Sequence, residues 1–234
     1  MLLRRRDHFK GNGNEIAGLI FHLPLTENLI DVVGGKNIVW QQSNFNPSFS
    51  AEGMFLPQSM MAAYSTSDII PQINGQSLTI SFFTKTLAKR GSNQVVCAFS
   101  TVGSTDVNSR AYATTFLAAG SWEYLQVQQS RRSNNTDWGG GVSIFPYNIL
   151  QTYHIVSVYE WTGTNFCSAK TYIDGVLQPN SQVTVSLQVS PLFNQTHFFI
   201  GGGAVAYTGN GLVGYLRDVK IFNRALNDDE ILNL

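Results

Sequence analysis

Apolar and polar residues alternate in many short segments along the chain, a period of two that is typical of strands with one buried face. The clearest case places Leu78, Ile80 and Phe82 on one face. The pair Asp174-Gly175 between apolar residues has the composition of a two-residue hairpin turn. About a dozen such segments recur at roughly ten-residue spacings without intervening helices. The pattern predicts one all-β antiparallel sandwich and excludes a parallel α/β sheet.

The end of the sequence has a different pattern. Residues 219–221 alternate like a half-buried strand, and Asn227 and Glu230 then have the spacing of a capping box. This spacing predicts one short C-terminal helix that seals an edge of the sandwich. We also expect the first strand, within residues 16–25, to lie beside the last strand.

Composition narrows the class of protein. Charged residues make up 13% of the chain, about half the usual share. The formal net charge is zero, so no global charge attracts nucleic acid. No apolar run is as long as the roughly 18 residues of a membrane span. Cys97 and Cys167 lie in apolar segments, as buried free thiols or as a disulfide.

Positive charge is concentrated at the start of the sequence. Four basic residues and one acidic residue stand in the first ten positions: Arg4, Arg5, Arg6, Lys10 and Asp7. No apolar run follows them, so we expect no secretory signal. Residues 1–15 are interpreted as a basic arm ahead of one domain at 16–234. The arm is either a disordered tail or a segment that docks into an acidic groove of another subunit.

Four motifs occur in an order that resembles the laminin-G-like domain, a concanavalin A-like jelly roll. They are His154 in a strand, Asp174-Gly175, Ile200-Gly201, and Asn223-Arg224-Ala225-Leu226. The resemblance covers about 16–234 and is strongest from 152 onward. It implies a jelly-roll sandwich, but it does not specify a function, because this fold hosts many.

The resemblance also implies a candidate calcium site. Some members of the family hold calcium with acidic residues in the first loop and the last strand, and the matching carboxylates here are Glu27, Asp31 and Asp218. Arg217 replaces an acid at the usual Asp-Glu position of the last strand. Calcium needs six to eight oxygen ligands. Alternatively, Asp31 caps a turn and Asp218 pairs with a neighbouring basic residue.

Enzymes of the same fold that hydrolyse glucans carry acids in the spacing Glu-x-Asp-x-x-Glu, which this sequence lacks. The one acidic cluster is Asp228-Asp229-Glu230 at the start of the predicted helix, where negative charge is favourable for helix-dipole reasons. No nucleophile elbow or phosphate-binding loop motif is present. We therefore expect no enzymatic activity.

A polar segment supplies the candidate ligand site. It combines an aromatic ring with amide, carboxylate and guanidinium groups, as glycan sites do: Arg131, Arg132, Asn134, Asn135, Asp137 and Trp138. A second candidate is Tyr207 with Asn210 on a glycine-rich loop. Alternatively, Trp138 folds down over the edge of the sandwich.

These observations favour a non-enzymatic interaction module. The first hypothesis is a structural, decoration or fibre-associated protein of a tailed bacteriophage virion, anchored to other subunits by residues 1–15 and displaying a sandwich that binds glycans. The alternative is a lectin-like domain of a bacterial surface or secreted protein, and a hydrolase of the same fold is the third. The expected location is a virion, the extracellular space or a cell surface.

Overall fold

The computed structural model describes residues 16–37, 39–40, 48–57, 62–65, 70–73, 76–88, 94–100, 111–119, 122–128, 145–163, 166–179, 183–186, 197–201 and 211–234. These ranges contain the following strands: β1 (Leu19–Leu23), β2 (Val39–Trp40), β3 (Ser48–Ser50), β4 (Gly53–Pro57), β5 (Ala62–Ser65), β6 (Leu78–Thr86), β7 (Gln94–Ser100), β8 (Ala111–Ala119), β9 (Trp122–Gln128), β10 (Phe145–Pro146), β11 (Thr152–Gly163), β12 (Phe166–Ile173), β13 (Val176–Leu177), β14 (Val183–Ser186), β15 (His197–Ile200) and β16 (Val213–Phe222). They also contain two short helices, α1 (Ile70–Ile73) and α2 (Asp228–Leu232).

The strands form two antiparallel sheets. The larger has the order β13-β12-β11-β6-β16-β4-β3, with β1 paired to β16 and β14 paired to β12. The smaller has the order β10-β9-β8-β7-β15-β5-β2. The pairing of β1 with β16 confirms that the first and last strands lie side by side. The sandwich predicted from the alternation is confirmed, and α1 is an additional helix that the sequence did not predict.

The core lies between the two sheets. Leu78, Ile80 and Phe82, the alternating residues of β6, are fully buried in it. Phe21 of β1 meets Phe198 of β15 edge to face, with ring centroids 5.8 Å apart. Since these rings belong to different sheets, the contact ties the two layers together. Cys97 is buried in the same core, and the side chain of Cys167 lies outside the described residues.

The hairpin between β12 and β13 forms at the predicted turn. Asp174 has φ 50° and Gly175 has φ 78°, the left-handed values that a tight hairpin turn requires. The backbone N–H of His154 donates to Asp174 Oδ1 at 2.8 Å, and the N–H of Asp174 donates to the His154 carbonyl at 2.9 Å. These bonds fasten the turn to β11.

The predicted capping box is also present at α2. Glu230 N–H donates to Asn227 Oδ1 at 2.9 Å, and Asn227 N–H donates to Glu230 Oε2 at 3.0 Å. The helix packs flat on the outer face of the larger sheet rather than only sealing an edge. A second apolar cluster forms there, separate from the main core: Val156, Val158, Tyr172, Phe222, Leu226 and Ile231.

This packing divides the outer face of the larger sheet into two halves. Along β6 the outward residues Thr79 and Ser81 are buried, whereas Phe83 and Lys85 are partly exposed. Thr79 lies under the C-terminal segment, where its hydroxyl donates to the Arg224 carbonyl at 2.9 Å and accepts from Leu226 N–H at 3.0 Å. The other half of the face, around Phe83 and Lys85, is partly exposed in the described part of the chain, and we call it the open half.

Candidate functional site

The open half of the outer face carries aromatic and basic side chains from adjacent strands. We call it the aromatic–basic surface, and its members are Phe55, Phe83, Lys85, His154, Tyr215 and Arg217. Strand register places them in two rows. Arg217 is opposite Phe83, which is opposite His154, and Phe55 is opposite Tyr215, which is opposite Lys85.

The first row is a stack of three planar groups. The guanidinium carbon of Arg217 lies 4.7 Å from the centroid of the Phe83 ring. On its other side Phe83 stacks on the His154 ring, with centroids 4.3 Å apart and planes 10° from parallel. Both faces of the Phe83 ring are therefore covered by neighbours in the row.

His154 is held as a neutral ring in this stack. Its Nε2 shares a hydrogen bond of 2.9 Å with the buried Ser81 hydroxyl. Burial lowers the pKa of His154, and the positive charge of Lys220 lowers it further. The uncharged ring can thus lie against Phe83 without a partner for a positive charge.

The second row repeats the arrangement with a lysine. The rings of Phe55 and Tyr215 have centroids 5.4 Å apart, and Lys85 Nζ lies 5.8 Å from the Tyr215 centroid. That distance is within the range of a cation–π contact. Lys85 Nζ also donates to Glu52 Oε1 at 2.7 Å, so its charge is already paired.

A polar cluster borders the aromatic–basic surface. A β-bulge in β16 places Asp218 at φ 53°, a conformation that aspartate tolerates better than most residues. Asp218 Oδ1 lies 2.6 Å from His22 Nε2, and Lys220 Nζ donates to Asp218 Oδ2 at 2.9 Å. A cleft of about 600 Å³ lies beside it, lined by Ile16, Ala17, Gly18, Leu19, His22, Val32, Val33 and Lys220.

We expect acid to lower the free energy of unfolding by protonating Asp218. Burial raises the pKa of this carboxyl, but hydrogen bonds from His22 and Lys220 outweigh burial and lower the pKa to about 2. A lowered folded-state pKa adds stability that is present above the unfolded value and lost as pH falls from about 4 to about 2. In Asp218→Asn we expect the free energy of unfolding to change less steeply with pH in this window. The slope should fall by up to about 1.4 kcal/mol per pH unit, the value for the loss of one titrating group.

Urea titrations at several pH values measure this change. Glu52→Gln is the matched control, because Glu52 is the more exposed partner of a single lysine. An unchanged pH dependence in Asp218→Asn would contradict the assigned hydrogen bonds.

The Asp31 carboxylate accepts hydrogen bonds from the backbone. Its Oδ1 accepts from the N–H groups of His22 at 2.9 Å and Val33 at 3.1 Å, and its Oδ2 accepts from Gly34 at 2.9 Å. The carboxylate is buried and holds the turn at 31–34. The geometry thus matches the turn-capping alternative for Asp31 and the ion-pair alternative for Asp218.

Calcium at this position stays a prediction from the sequence. Glu27 is exposed, and within the described ranges no three or more His, Cys, Asp or Glu side chains are grouped so that they could hold a metal. An ion bound by Asp31 and Asp218 would compete with the amide and ammonium donors that both carboxylates already accept.

Most of the sequence-predicted binding residues lie outside the described residues. These are the arm residues Arg4, Arg5, Arg6 and Lys10, the loop residues Arg131, Arg132, Asn134, Asn135, Asp137 and Trp138, and Tyr207 with Asn210. In the structure Asp31 and Asp218 both contact His22. Asp31 accepts from the backbone N–H of His22, and Asp218 contacts its imidazole ring.

Sequence reasoning missed the aromatic–basic surface. A signal for it existed, since Phe55, Phe83 and Tyr215 occupy outward positions of alternating strands, where polar residues are the rule. The rings at these positions are partly exposed rather than buried, a departure from that rule. Among the described helices, none has the length and apolar character needed to cross a membrane.

Comparisons with solved structures give the same fold. Trypanosoma rangeli sialidase matches with a TM-score of 0.65 and 15% identity over 93% of this chain, and the match spans 32% of the sialidase. Domain 4 of AbnA, a GH43 extracellular arabinanase from Geobacillus stearothermophilus, matches with a TM-score of 0.62 and 12% identity over 92% of this chain and 97% of that domain. Botulinum neurotoxin type C matches with a TM-score of 0.63 and 14% identity over 92% of this chain and 50% of the toxin chain.

Comparison of the sequence with family models identifies a family as well as a fold. A search of curated proteins found no significant match. A laminin-G family model, described as the concanavalin A-like lectin/glucanases superfamily, matches residues 61–232. That range covers well over half of the chain, and it includes every member of the aromatic–basic surface except Phe55. The chain therefore belongs to the concanavalin A-like lectin/glucanases superfamily.

Proposed function

We propose that this protein is a non-catalytic interaction module that binds glycans through the aromatic–basic surface. The observation that carries the proposal is the open half of the outer face, where partly exposed rings lie beside Lys85 and Arg217. Ligand sites combine aromatic side chains with a few placed polar groups. The C-terminal segment covers the other half of the same face, whereas the described side chains of this half are partly exposed.

Structural neighbours support carbohydrate as the ligand class. The arabinanase domain was solved in complex with arabinotriose, the sialidase in complex with sialic acid, and cell entry of the neurotoxin depends on two ganglioside molecules. At 12–15% identity these likenesses concern the fold. They support a glycan ligand without indicating which one.

The chemistry of the nearby carboxylates supports binding rather than hydrolysis. Glycoside hydrolysis needs a carboxyl group that donates a proton near neutral pH and a second carboxylate at a defined distance. Asp218 is held ionised by His22 and Lys220, with a pKa of about 2. A carboxylate held in this way is a poor general acid.

Two variants on a glycan array test the proposed surface. We expect Tyr215→Ala to lose most of the glycan binding, because it removes the centre of the second row. Trp138→Ala, in the loop that the sequence suggested, should keep it. Thermal melts establish that both variants are folded. Binding lost in Trp138→Ala and kept in Tyr215→Ala would move the site to the loop, and an array with no bound glycan would reject glycan binding altogether.

We further propose that the module works within an assembly, as a structural, decoration or fibre-associated protein of a bacteriophage virion anchored by residues 1–15. The density of basic residues in this arm supports docking onto an acidic subunit. Deleting residues 1–14 should leave the sandwich folded and abolish co-purification with phage particles. Retained co-purification would contradict the anchoring role, and binding only to free glycans would favour a lectin-like domain of a bacterial surface or secreted protein.

A further inference from the structure

Arg217 differs from three other basic residues of the larger sheet and the C-terminal segment. Lys85 pairs with Glu52 at 2.7 Å, Lys220 pairs with Asp218 at 2.9 Å, and Arg224 Nη1 donates to Glu230 Oε2 at 2.8 Å. Arg217 has no carboxylate partner among the described residues. Its one hydrogen bond there runs from Nη1 to the Ala51 carbonyl at 3.4 Å, which is long for such a bond.

The environment of Arg217 holds the guanidinium in place without neutralising it. The group lies against the Phe83 ring, and its Nε is buried with no hydrogen-bond acceptor in the described structure. An unpaired charge in a partly buried position costs free energy that an anion would recover. With Nε buried, the two Nη groups are the donors left for a ligand.

The aromatic rings beside Arg217 are poorly placed for a neutral sugar. A sugar stacks on an open ring face, but Arg217 covers one face of Phe83 and His154 covers the other. The rings in this row present their edges, which carry partial positive charge. Ring edges and a guanidinium together attract oxygen atoms that bear negative charge.

We propose that Arg217 recognises the carboxylate of an acidic sugar, such as a uronic or sialic acid, on the aromatic–basic surface. This inference rests on the proposed glycan-binding function and narrows its ligand class. The two Nη groups donate to the carboxylate oxygens, which guanidinium geometry matches better than an ammonium does. Edges of Phe83 and Tyr215 contact the sugar ring around the carboxylate.

The test compares acidic glycans with their neutral counterparts. An array carries uronate- and sialate-bearing oligosaccharides, each beside its methyl ester, together with sulfated oligosaccharides and neutral ones. We expect the free acids to bind at least about tenfold more tightly than the esters, as a charge-assisted hydrogen bond provides. This comparison uses the unaltered chain, so it does not depend on the folding of a variant.

Variants then assign the preference to one side chain. Arg217→Gln should bind acid and ester equally, whereas Arg217→Lys should keep part of the preference. Lys36→Gln removes the same charge from an exposed turn outside the surface and should behave like the unaltered chain.

Four outcomes would overturn the inference. Equal binding of acids and esters, or a preference that survives in Arg217→Gln, would reject Arg217 as the recognition residue while leaving glycan binding intact. A preference for sulfated glycans alone would reject the carboxylate. Absence of any glycan binding would reject both this inference and the proposed function.

Discussion

Replacing Gly214 by alanine is expected to lower the free energy of unfolding by at least about 3 kcal/mol, the upper end of the cost of overpacking. Gly214 lies in β16 between β4 and β6, opposite Leu56 and Thr86. A Cβ at this position would overlap the Lys85 carbonyl oxygen and lie 2.9 Å from its carbonyl carbon. Both atoms belong to the backbone of a central strand, so they cannot move aside without breaking strand pairing.

Gly35→Ala is the matched control for this substitution. Gly35 has φ 68°, and an added Cβ would meet nothing within 4 Å, so alanine costs only the left-handed backbone conformation, about 1–2 kcal/mol. Urea unfolding followed by circular dichroism measures both variants. If Gly214→Ala were as stable as Gly35→Ala, β6 and β16 could not be packed as closely as described.

The second large effect is expected at α2. Ile231→Ala should cost about 2–5 kcal/mol, the range for truncating a fully buried aliphatic side chain. Ile231 is 1% exposed and packs in the cluster that includes Val156 and Phe222. The loss is a packing effect and should appear as a lower urea midpoint with little change in secondary structure.

Leu232 provides the control on the same helix. It is 68% exposed, so Leu232→Ala should change the free energy of unfolding by no more than about 0.5 kcal/mol. Equal effects of the two substitutions would mean that α2 does not pack on the sheet through Ile231.

Local signals in the sequence predicted the local structure well. Asp174-Gly175 predicted its hairpin because only a few residue pairs adopt two successive positive φ angles. Asn227 and Glu230 predicted the start of α2 because a capping box is set by residues three apart. The alternation of Leu78, Ile80 and Phe82 predicted the core face of β6, because successive side chains of a strand point to opposite faces with a fixed period of two.

Long-range contacts explain what the sequence could not predict. Thr79 and Phe83 both point outward from β6, yet one is buried and the other is partly exposed. The difference depends on where the chain near Leu226 returns to the sheet, which no local pattern encodes. The bulge at Asp218 likewise depends on the neighbouring strands, so the alternation in β16 alone did not place the side chains of Arg217 and Lys220.

The pairing of the first strand with the last affects how the molecule is made. On the ribosome, residues 219–222 emerge long after their partners at 19–23, because the two strands are far apart in sequence. Until then, the edge of β1 that pairs with β16 has no strand partner, and the apolar face of β1 is not buried in a complete core. Closing so long a loop slows the search for the native pairing, so nascent chains should depend on chaperones or low temperature for a good yield.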